Sequence, residues 1–217
     1  MSQASIELAG LLCARLCHDL MNPVGALSNG LELLADEEDP QMRKRCFDLL
    51  EQSARISADK LRFFRLAFGA AGGEDMLPVA EARTLIEALV GNNQRITVSW
   101  AIPATSLPRP AAKVLLNLAL IGIEALVRGG TLDIGAELGS DASEIVVRAA
   151  GARIAFDPAI GRALDGSLMP DELSSRTAPA AMVRELATSL GGGVQFALTD
   201  NALVIGAELP IAGGRRG

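Results

Sequence analysis

The chain of 217 residues contains a single histidine, His18, so any imidazole chemistry in this protein must pass through it. A neutral imidazole nitrogen is a good nucleophile, and a carboxylate that accepts the other ring N–H fixes the tautomer and raises the basicity of the ring. Asp19 follows the histidine directly and is placed to do this. On a helix, His18 shares a mostly polar face with Arg15 and Asn22, which predicts an imidazole that faces solvent.

Two other interpretations of His18 start from the same segment. The first is an ordinary surface histidine without a function, the commoner case where no motif surrounds the residue. The second is a metal site formed with Cys13 and Cys17, which lie one helical turn apart. His18 would point about 100° away from the cysteines, because successive helical residues rotate by that angle. Buried, inert cysteines are therefore the favoured interpretation of this cluster.

A long amphipathic helix must carry His18. Its apolar stripe, with spacings of three and four residues, consists of Leu12, Leu16, Leu20, Pro23, Leu27, Leu31 and Leu34. An acidic run ends this helix, and Pro40 opens a second one whose near-heptad stripe has Lys60 as its one charged interruption. Two helices with a short connection form an antiparallel hairpin. A single hairpin cannot cover both stripes, so we expect two copies to pair into a dimeric four-helix bundle.

Residues 18–23 read His-Asp-Leu-Met-Asn-Pro. This segment resembles the H-box of sensor histidine kinases, in which an acid follows the phosphorylated histidine at once and proline follows five residues later. The resemblance implies phosphorylation of His18. Asn22 matches the position that in such kinases helps to hold an attacking water during dephosphorylation of a receiver domain. The catalytic candidates are therefore His18, Asp19 and Asn22. Pro23 removes a backbone hydrogen bond in mid-helix and is expected to bend the helix there.

The second helix is basic in an otherwise acidic protein, whose net charge is −6. Besides Lys60 of the stripe, its basic residues are Arg43, Lys44, Arg45, Arg55, Arg62 and Arg65. One interpretation is a solvated face. The functional interpretation is a surface that steers phosphate and docks an acidic receiver domain. Under it, the candidate partner-binding residues are Arg15, Arg43, Arg55 and Arg62.

A change of pattern after the hairpin predicts a second domain. The segment Ala70–Asp75 breaks the periodicity and is typical of a linker. Beyond it, helices are predicted near 79–91, 110–127 and 178–190, and strands near 95–100, 132–138, 145–147, 194–198 and 203–209. The predicted class is α+β: a helical hairpin for dimerisation and phosphotransfer over 1–71, then an α/β sandwich over 76–212.

The second domain resembles the ATP-binding domain of histidine kinases in element order, but three of its sequence boxes depart from the family pattern. Residues 113–125 follow the N-box helix, and Ile121 occupies the position of the asparagine that ligates magnesium. In the first glycine-rich box, Ala149 replaces the adenine-reading aspartate and Arg153 replaces the second glycine. The last box is reduced to residues 177–180, without a glycine to let backbone approach a triphosphate. We therefore expect no productive binding of ATP and no cofactor held by this chain.

An intact H-box joined to a degenerate ATP-binding domain is similar to the ChpT family of alphaproteobacterial histidine phosphotransferases along the whole chain. The resemblance implies a homodimer that carries a phosphoryl group on His18 between receiver domains. It implies a hybrid kinase of the CckA type as donor and the response regulators CtrA and CpdR as acceptors in a cell-cycle phosphorelay. Mg²⁺ is expected from the partner receiver domain.

Composition excludes other classes of function. The net charge of −6 argues against a nucleic-acid binder, and the absence of tyrosine with 3% aromatic residues argues against a base-stacking platform. No apolar run is long enough to span a membrane, and the N-terminus lacks a signal-peptide pattern. Three helical cysteines suit a reducing compartment, so a cytoplasmic location is expected.

Two rival functions remain open at the level of sequence. One is an active histidine kinase with a divergent ATP site, since the helix that follows the last box survives at residues 181–186. The other is a non-enzymatic dimeric scaffold in which His18 is incidental.

Overall fold

The computed structural model describes residues 3–69, 76–91 and 95–211, so the predicted linker at 70–75 lies outside the described residues. The helical hairpin is confirmed: α1 spans Gln3–Asp36 and α2 spans Pro40–Phe68. The boundary between them follows from local chemistry. The Asp39 side chain accepts a hydrogen bond from the Gln41 N–H at 3.0 Å, and Pro40 occupies the first helical position, where no N–H is needed.

The hairpin leaves much of its apolar surface uncovered within one chain. Large apolar side chains exposed on α1 and α2 are Ile6, Met21, Val24, Leu31, Leu33, Met42, Phe47, Leu49 and Leu61. Leu31, a member of the predicted stripe, is 59% exposed. Within the described residues, no helix is both long and apolar enough to cross a membrane.

The second half contains a five-stranded sheet. Its strands are β2 (Ile96–Ala101), β4 (Gly130–Leu138), β5 (Ala142–Ala150), β6 (Gly193–Leu198) and β7 (Ala202–Pro210). They lie in the order β2-β4-β5-β7-β6 across the sheet. β2 pairs with β4 in parallel, and the other pairs are antiparallel. A separate two-stranded sheet joins β1, Met76–Pro78, to β3, Ser106–Pro108. Burial alternates along β5, as expected for a sheet with one face covered.

Helices α3 (Val79–Gly91), α4 (Arg109–Ala125), α5 (Pro158–Asp165) and α6 (Ala178–Ser189) accompany the sheet. α4 is buried almost all round, because it lies against β5 on one side and against α2, α3 and α6 on others. The predicted α+β class is confirmed. The fold adds β1, β3, α5 and a 3₁₀ turn at Pro170–Glu172 to the predicted elements, and β5 is longer than predicted.

The hydrophobic core of the sheet domain continues into the end of the hairpin. Phe63, Phe64 and Ala67 of α2 are at most 2% exposed and belong to the same cluster as the residues of α3, α4 and the large sheet. Two polar contacts join the same elements: Lys113 donates to the Gly69 carbonyl, and the Asn117 side-chain amide donates to the Ala67 carbonyl at 3.2 Å. Burial, followed by the nearby Arg109, lowers the pKa of Lys113. The last turn of α2 is therefore a shared element of the two halves.

Candidate functional site

His18 lies on the open side of α1, as predicted. Its side chain is 77% exposed, and its Nδ1 lies 3.1 Å from Asp19 Oδ1. Within the described residues, no hydrogen bond is made by Nε2. A carboxylate at this distance favours the tautomer with the proton on Nδ1, which leaves the Nε2 lone pair facing solvent. Asn22, one turn further along α1, is also exposed.

Asp19 is held on both of its carboxylate oxygens. While Oδ1 faces the imidazole, Oδ2 accepts a hydrogen bond from Arg15 Nε at 2.9 Å. Arg15 also donates through Nη2 to Glu124 Oε1, at the end of α4. These contacts form a chain of four side chains, Glu124–Arg15–Asp19–His18, that joins the second domain to the imidazole.

The position of Arg15 differs from the sequence expectation. The sequence predicts it on a solvent-facing stripe as a partner-binding residue, but it is only 8% exposed. The physical reason is that the carboxyl end of α4 lies against this part of α1 and supplies Glu124 as an ion-pair partner. A sequence in which the two residues stand 109 positions apart gives no sign of this pair.

Lys60 donates the hydrogen bond that Pro23 cannot donate to the Asp19 carbonyl, beside the histidine. In an α-helix the Asp19 carbonyl would accept from the N–H of residue 23, and proline has none. Lys60 Nζ of α2 donates to that carbonyl at 2.8 Å. α1 continues through Pro23 to Asp36. The charged interruption of the α2 stripe therefore satisfies a backbone acceptor directly under the candidate nucleophile.

His18 borders an open cleft between the hairpin and the sheet domain. The cleft has a volume of about 540 Å³ and is lined by Arg15, His18, Asp19, Glu124, Ser175 and Arg176. The last two precede α6, and Arg176 is 64% exposed with its Nε 3.5 Å from Asp157 Oδ2. Glu124, Ser175, Arg176 and Lys60 were not proposed as site residues from the sequence.

The basic residues of α2 are distributed along the hairpin. The contact of Lys60 with Asp19 places Arg62 near the level of His18 and Arg55 about two turns away. Arg62 pairs with Asp59 at 3.6 Å and Arg55 with Glu51 at 3.3 Å, and both arginines are largely exposed. Arg43 instead donates to the carbonyls of Leu34 and Glu37 at the end of α1. The candidate partner-binding arginines therefore do not form one cluster around His18.

The cysteines do not match the expectation of burial. Cys13 and Cys17 are exposed, because they lie on a side of α1 that neither α2 nor the sheet domain covers, and Cys46 is buried. Over residues 3–69, 76–91 and 95–211, no group of three or more His, Cys, Asp or Glu side chains is arranged to hold a metal ion.

The residues at the magnesium and adenine positions lie inside packed structure, whereas Arg153 of the first glycine-rich box is exposed. Ile121 of α4 is 4% exposed, and Ala149 of β5 is fully buried. The last box overlaps the first turn of α6, and its Ala178 shares a buried apolar cluster with Leu12 of α1. An apolar side chain in the core offers no ligand to a cation and no acceptor to an adenine ring. These residues do not fit a magnesium–nucleotide site.

Comparison with known proteins places the chain in a family. Residues 79–202 match the family described as histidine phosphotransferase C-terminal domain. The protein phosphotransferase ChpT of Brucella abortus is 31% identical over 94% of this chain and 97% of its own length. A solved bacterial phosphotransferase aligns with 29% identity and a TM-score of 0.81, covering 95% of this chain and 98% of that one. The chain therefore belongs to the histidine phosphotransferase family and is a ChpT-type member of it.

Proposed function

We propose that this protein is a phosphorelay intermediate that accepts a phosphoryl group on His18 from one receiver aspartate and passes it to another. The observation that carries the proposal is the exposed imidazole whose Nδ1 lies 3.1 Å from Asp19 Oδ1. Membership in the histidine phosphotransferase family supports it, since the chain has one histidine in all.

The proposed step is an in-line displacement at phosphorus. The lone pair of His18 Nε2 forms the N–P bond while the P–O bond to the donor aspartate breaks, and that carboxylate leaves with the electron pair. The proton stays on Nδ1, so the phosphorylated ring is an imidazolium that faces the Asp19 carboxylate. In the reverse step a second receiver aspartate attacks phosphorus, and the imidazole leaves as the neutral ring. Mg²⁺ belongs to the receiver in both steps.

We propose further that the chain does not use ATP. The burial of Ile121 and Ala149 supports this, because apolar groups occupy the magnesium and adenine positions of the resemblance. Support also comes from the last box, whose Ala178 packs in an apolar cluster with Leu12 and which has no glycine to let backbone approach a phosphate. The second domain then serves to position and dock partners.

The proposed assembly is a homodimer in the cytoplasm. Support comes from the uncovered apolar side chains of α1 and α2, among which Met42 and Leu49 are spaced by one heptad. By its likeness to ChpT of Brucella abortus, we propose a CckA-type hybrid kinase as donor and CtrA and CpdR as acceptors. Neither nucleic acid nor a membrane is a proposed partner.

The test is to mix the protein with a receiver domain that carries ³²P-phosphoaspartate, without ATP, and to look for acid-labile label on this chain. We expect rapid labelling that His18→Gln abolishes while its melting temperature and oligomeric state are retained. Label that appears from ATP and Mg²⁺ alone would identify an active kinase. Receiver binding without any label on His18 would identify a scaffold.

A further inference from the structure

The second domain reaches the candidate nucleophile through a continuous set of contacts. Glu124 stands at the end of α4, and its Oε1 accepts a hydrogen bond from Arg15 Nη2. Arg15 Nε donates to Asp19 Oδ2 at 2.9 Å, and Asp19 Oδ1 lies 3.1 Å from His18 Nδ1. Each group uses a different atom for each neighbour, so all three contacts exist at the same time.

We propose that Arg15 and Glu124 are positioning residues for phosphotransfer, acting through Asp19 on the tautomer and orientation of the His18 ring. The inference deepens the proposed function and rests on it. Neither residue touches the phosphoryl group in this scheme. Arg15 fixes the rotation of the Asp19 carboxylate, and Glu124 fixes Arg15.

Burial explains why this geometry is well defined. The side chains of Arg15 and Asp19 are 10% and 16% exposed, whereas that of His18 is 77% exposed. A solvated imidazole has no packing of its own to set its orientation, so the orientation must come from the Asp19 hydrogen bond. A carboxylate that could rotate freely would present Oδ1 to the ring only part of the time. The Arg15 contact removes that freedom, because the guanidinium binds Oδ2 in a fixed plane.

Glu124 acts through its charge on the ion pair between Arg15 and Asp19. Arg15 on its own would attract electron density from the carboxylate that must stabilise the imidazolium. Glu124 shares the positive charge of the guanidinium, so Asp19 keeps more of its negative charge for the ring. At 36% exposed, the Glu124 side chain sits at the domain junction rather than deep in the core. The placement of the sheet domain is therefore coupled to the reactivity of the histidine.

The single histidine makes a direct test possible. A long-range ¹H–¹⁵N correlation spectrum of the full chain shows one imidazole, so the proton position on His18 can be read without assignment of other rings. In the neutral form we expect the Nδ1–H tautomer to predominate in the parent protein. Arg15→Gln and Glu124→Ala should both shift the population toward Nε2–H, with the larger shift in Arg15→Gln. Asp19→Asn removes the carboxylate itself and should therefore give the largest shift in tautomer population.

Kinetics separates positioning from docking. With a phosphorylated receiver in single turnover, Arg15→Gln should lower the transfer rate at saturating receiver by roughly 10- to 100-fold, because misorientation of a reacting group has costs of this size. The half-saturating receiver concentration should not change. The double variant, with both Arg15→Gln and Glu124→Ala, should transfer phosphate no more slowly than Arg15→Gln alone, because Glu124 acts through Arg15. The matched control is Arg148→Gln, which breaks a 2.8 Å pair with Asp133 on the open face of the sheet and should leave both constants unchanged.

The outcomes decide between the possible roles. An unchanged tautomer in both single variants overturns the inference, and so does an effect confined to the half-saturating concentration, which would make Arg15 a docking residue. If Arg15→Gln fails to fold, Glu124→Ala carries the test, because it truncates a partly exposed side chain at a helix end. If the parent protein transfers no phosphate, the proposed function is wrong, and the spectrum still judges the positioning role by itself.

Discussion

At the scale of single residues, the environment of His18 depends on a proline and the lysine that compensates for it. Pro23 leaves the Asp19 carbonyl without its helical donor, and Lys60 Nζ lies 2.8 Å from that oxygen. This contact is partly buried, and the loss of a hydrogen bond from a charged donor costs about 1–3 kcal/mol. The stability of the helix around His18 therefore depends on a residue that stands 41 positions from Asp19 in the sequence.

We predict that Lys60→Met lowers the free energy of unfolding by about 1–3 kcal/mol in the parent chain. In a Pro23→Ala background the new backbone N–H at position 23 supplies the missing donor, so the same change should cost much less. Urea unfolding of the four proteins in this cycle measures both costs. Lys44→Met, on the exposed part of α2, is the control. Equal costs in the two backgrounds would show that Lys60 does not act through the orphaned carbonyl.

At the scale of elements, α2 belongs to both halves of the molecule. Its outer turns carry Met42, Phe47 and Leu49, three of the uncovered apolar residues of the hairpin, while Phe63 and Phe64 near its end are buried in the core of the sheet domain. Cutting the chain in the linker therefore does not yield two complete hydrophobic cores. It exposes Phe63 and Phe64, which the sheet domain covers in the full chain.

We predict that a fragment of residues 1–72 still dimerises through the hairpin but associates further through Phe63 and Phe64. Replacing both by Gln in the fragment should return it to a dimer, because the added apolar surface is then gone. Sedimentation velocity distinguishes these states. A monomeric fragment would place the dimer contact elsewhere, and a clean dimer without the Gln changes would show that the hairpin covers the two rings by itself.

At the scale of the whole molecule, the sheet domain keeps a packed frame where a nucleotide site would need polar groups. We predict that millimolar ATP with Mg²⁺ leaves the melting temperature of the full chain unchanged. A ligand present at 100 times its Kd stabilises by about 2.7 kcal/mol, which shifts a melting curve by several degrees. Differential scanning fluorimetry with an ATP-binding kinase as positive control makes the measurement. A clear ATP-dependent rise would overturn the proposal that the chain does not use ATP.

The cleft between the two halves gives the second prediction at this scale. Arg176 and Ser175 border it together with His18, so a receiver docked on the histidine would meet them. Arg176→Glu should slow association with an acidic receiver by about 10-fold at low salt and by less at high salt, because exposed charges steer encounter and are screened. Arg148→Glu, an equally severe charge reversal on the open face of the sheet, is the control. Surface plasmon resonance at two ionic strengths gives the rates, and equal effects of the two reversals would contradict a local role for Arg176.

The features that local sequence determined are those whose causes lie within a few residues. Asp39 and Pro40 mark the hairpin turn, and the three- and four-residue spacings of α1 place His18 on its open side with Asp19 beside it. The short helix α5, which is not among the predicted elements, also has local sequence signals at both of its ends. Asp157 caps it, Pro158 opens it, and Gly166 ends it with a φ of +83°, a conformation that favours glycine.

Tertiary structure alone decided which charged side chains make long-range contacts. Nothing near Arg15 in the sequence indicates that Glu124 buries it, and nothing near Lys60 indicates that its partner is the Asp19 carbonyl. Periodicity specifies which face of a helix is apolar, but long polar side chains at the edge of that face pair according to how the helices are placed against each other. Periodicity likewise could not predict the strands β1 and β3, because three residues are too few to show an alternating pattern. Their pairing with each other is what defines them as strands.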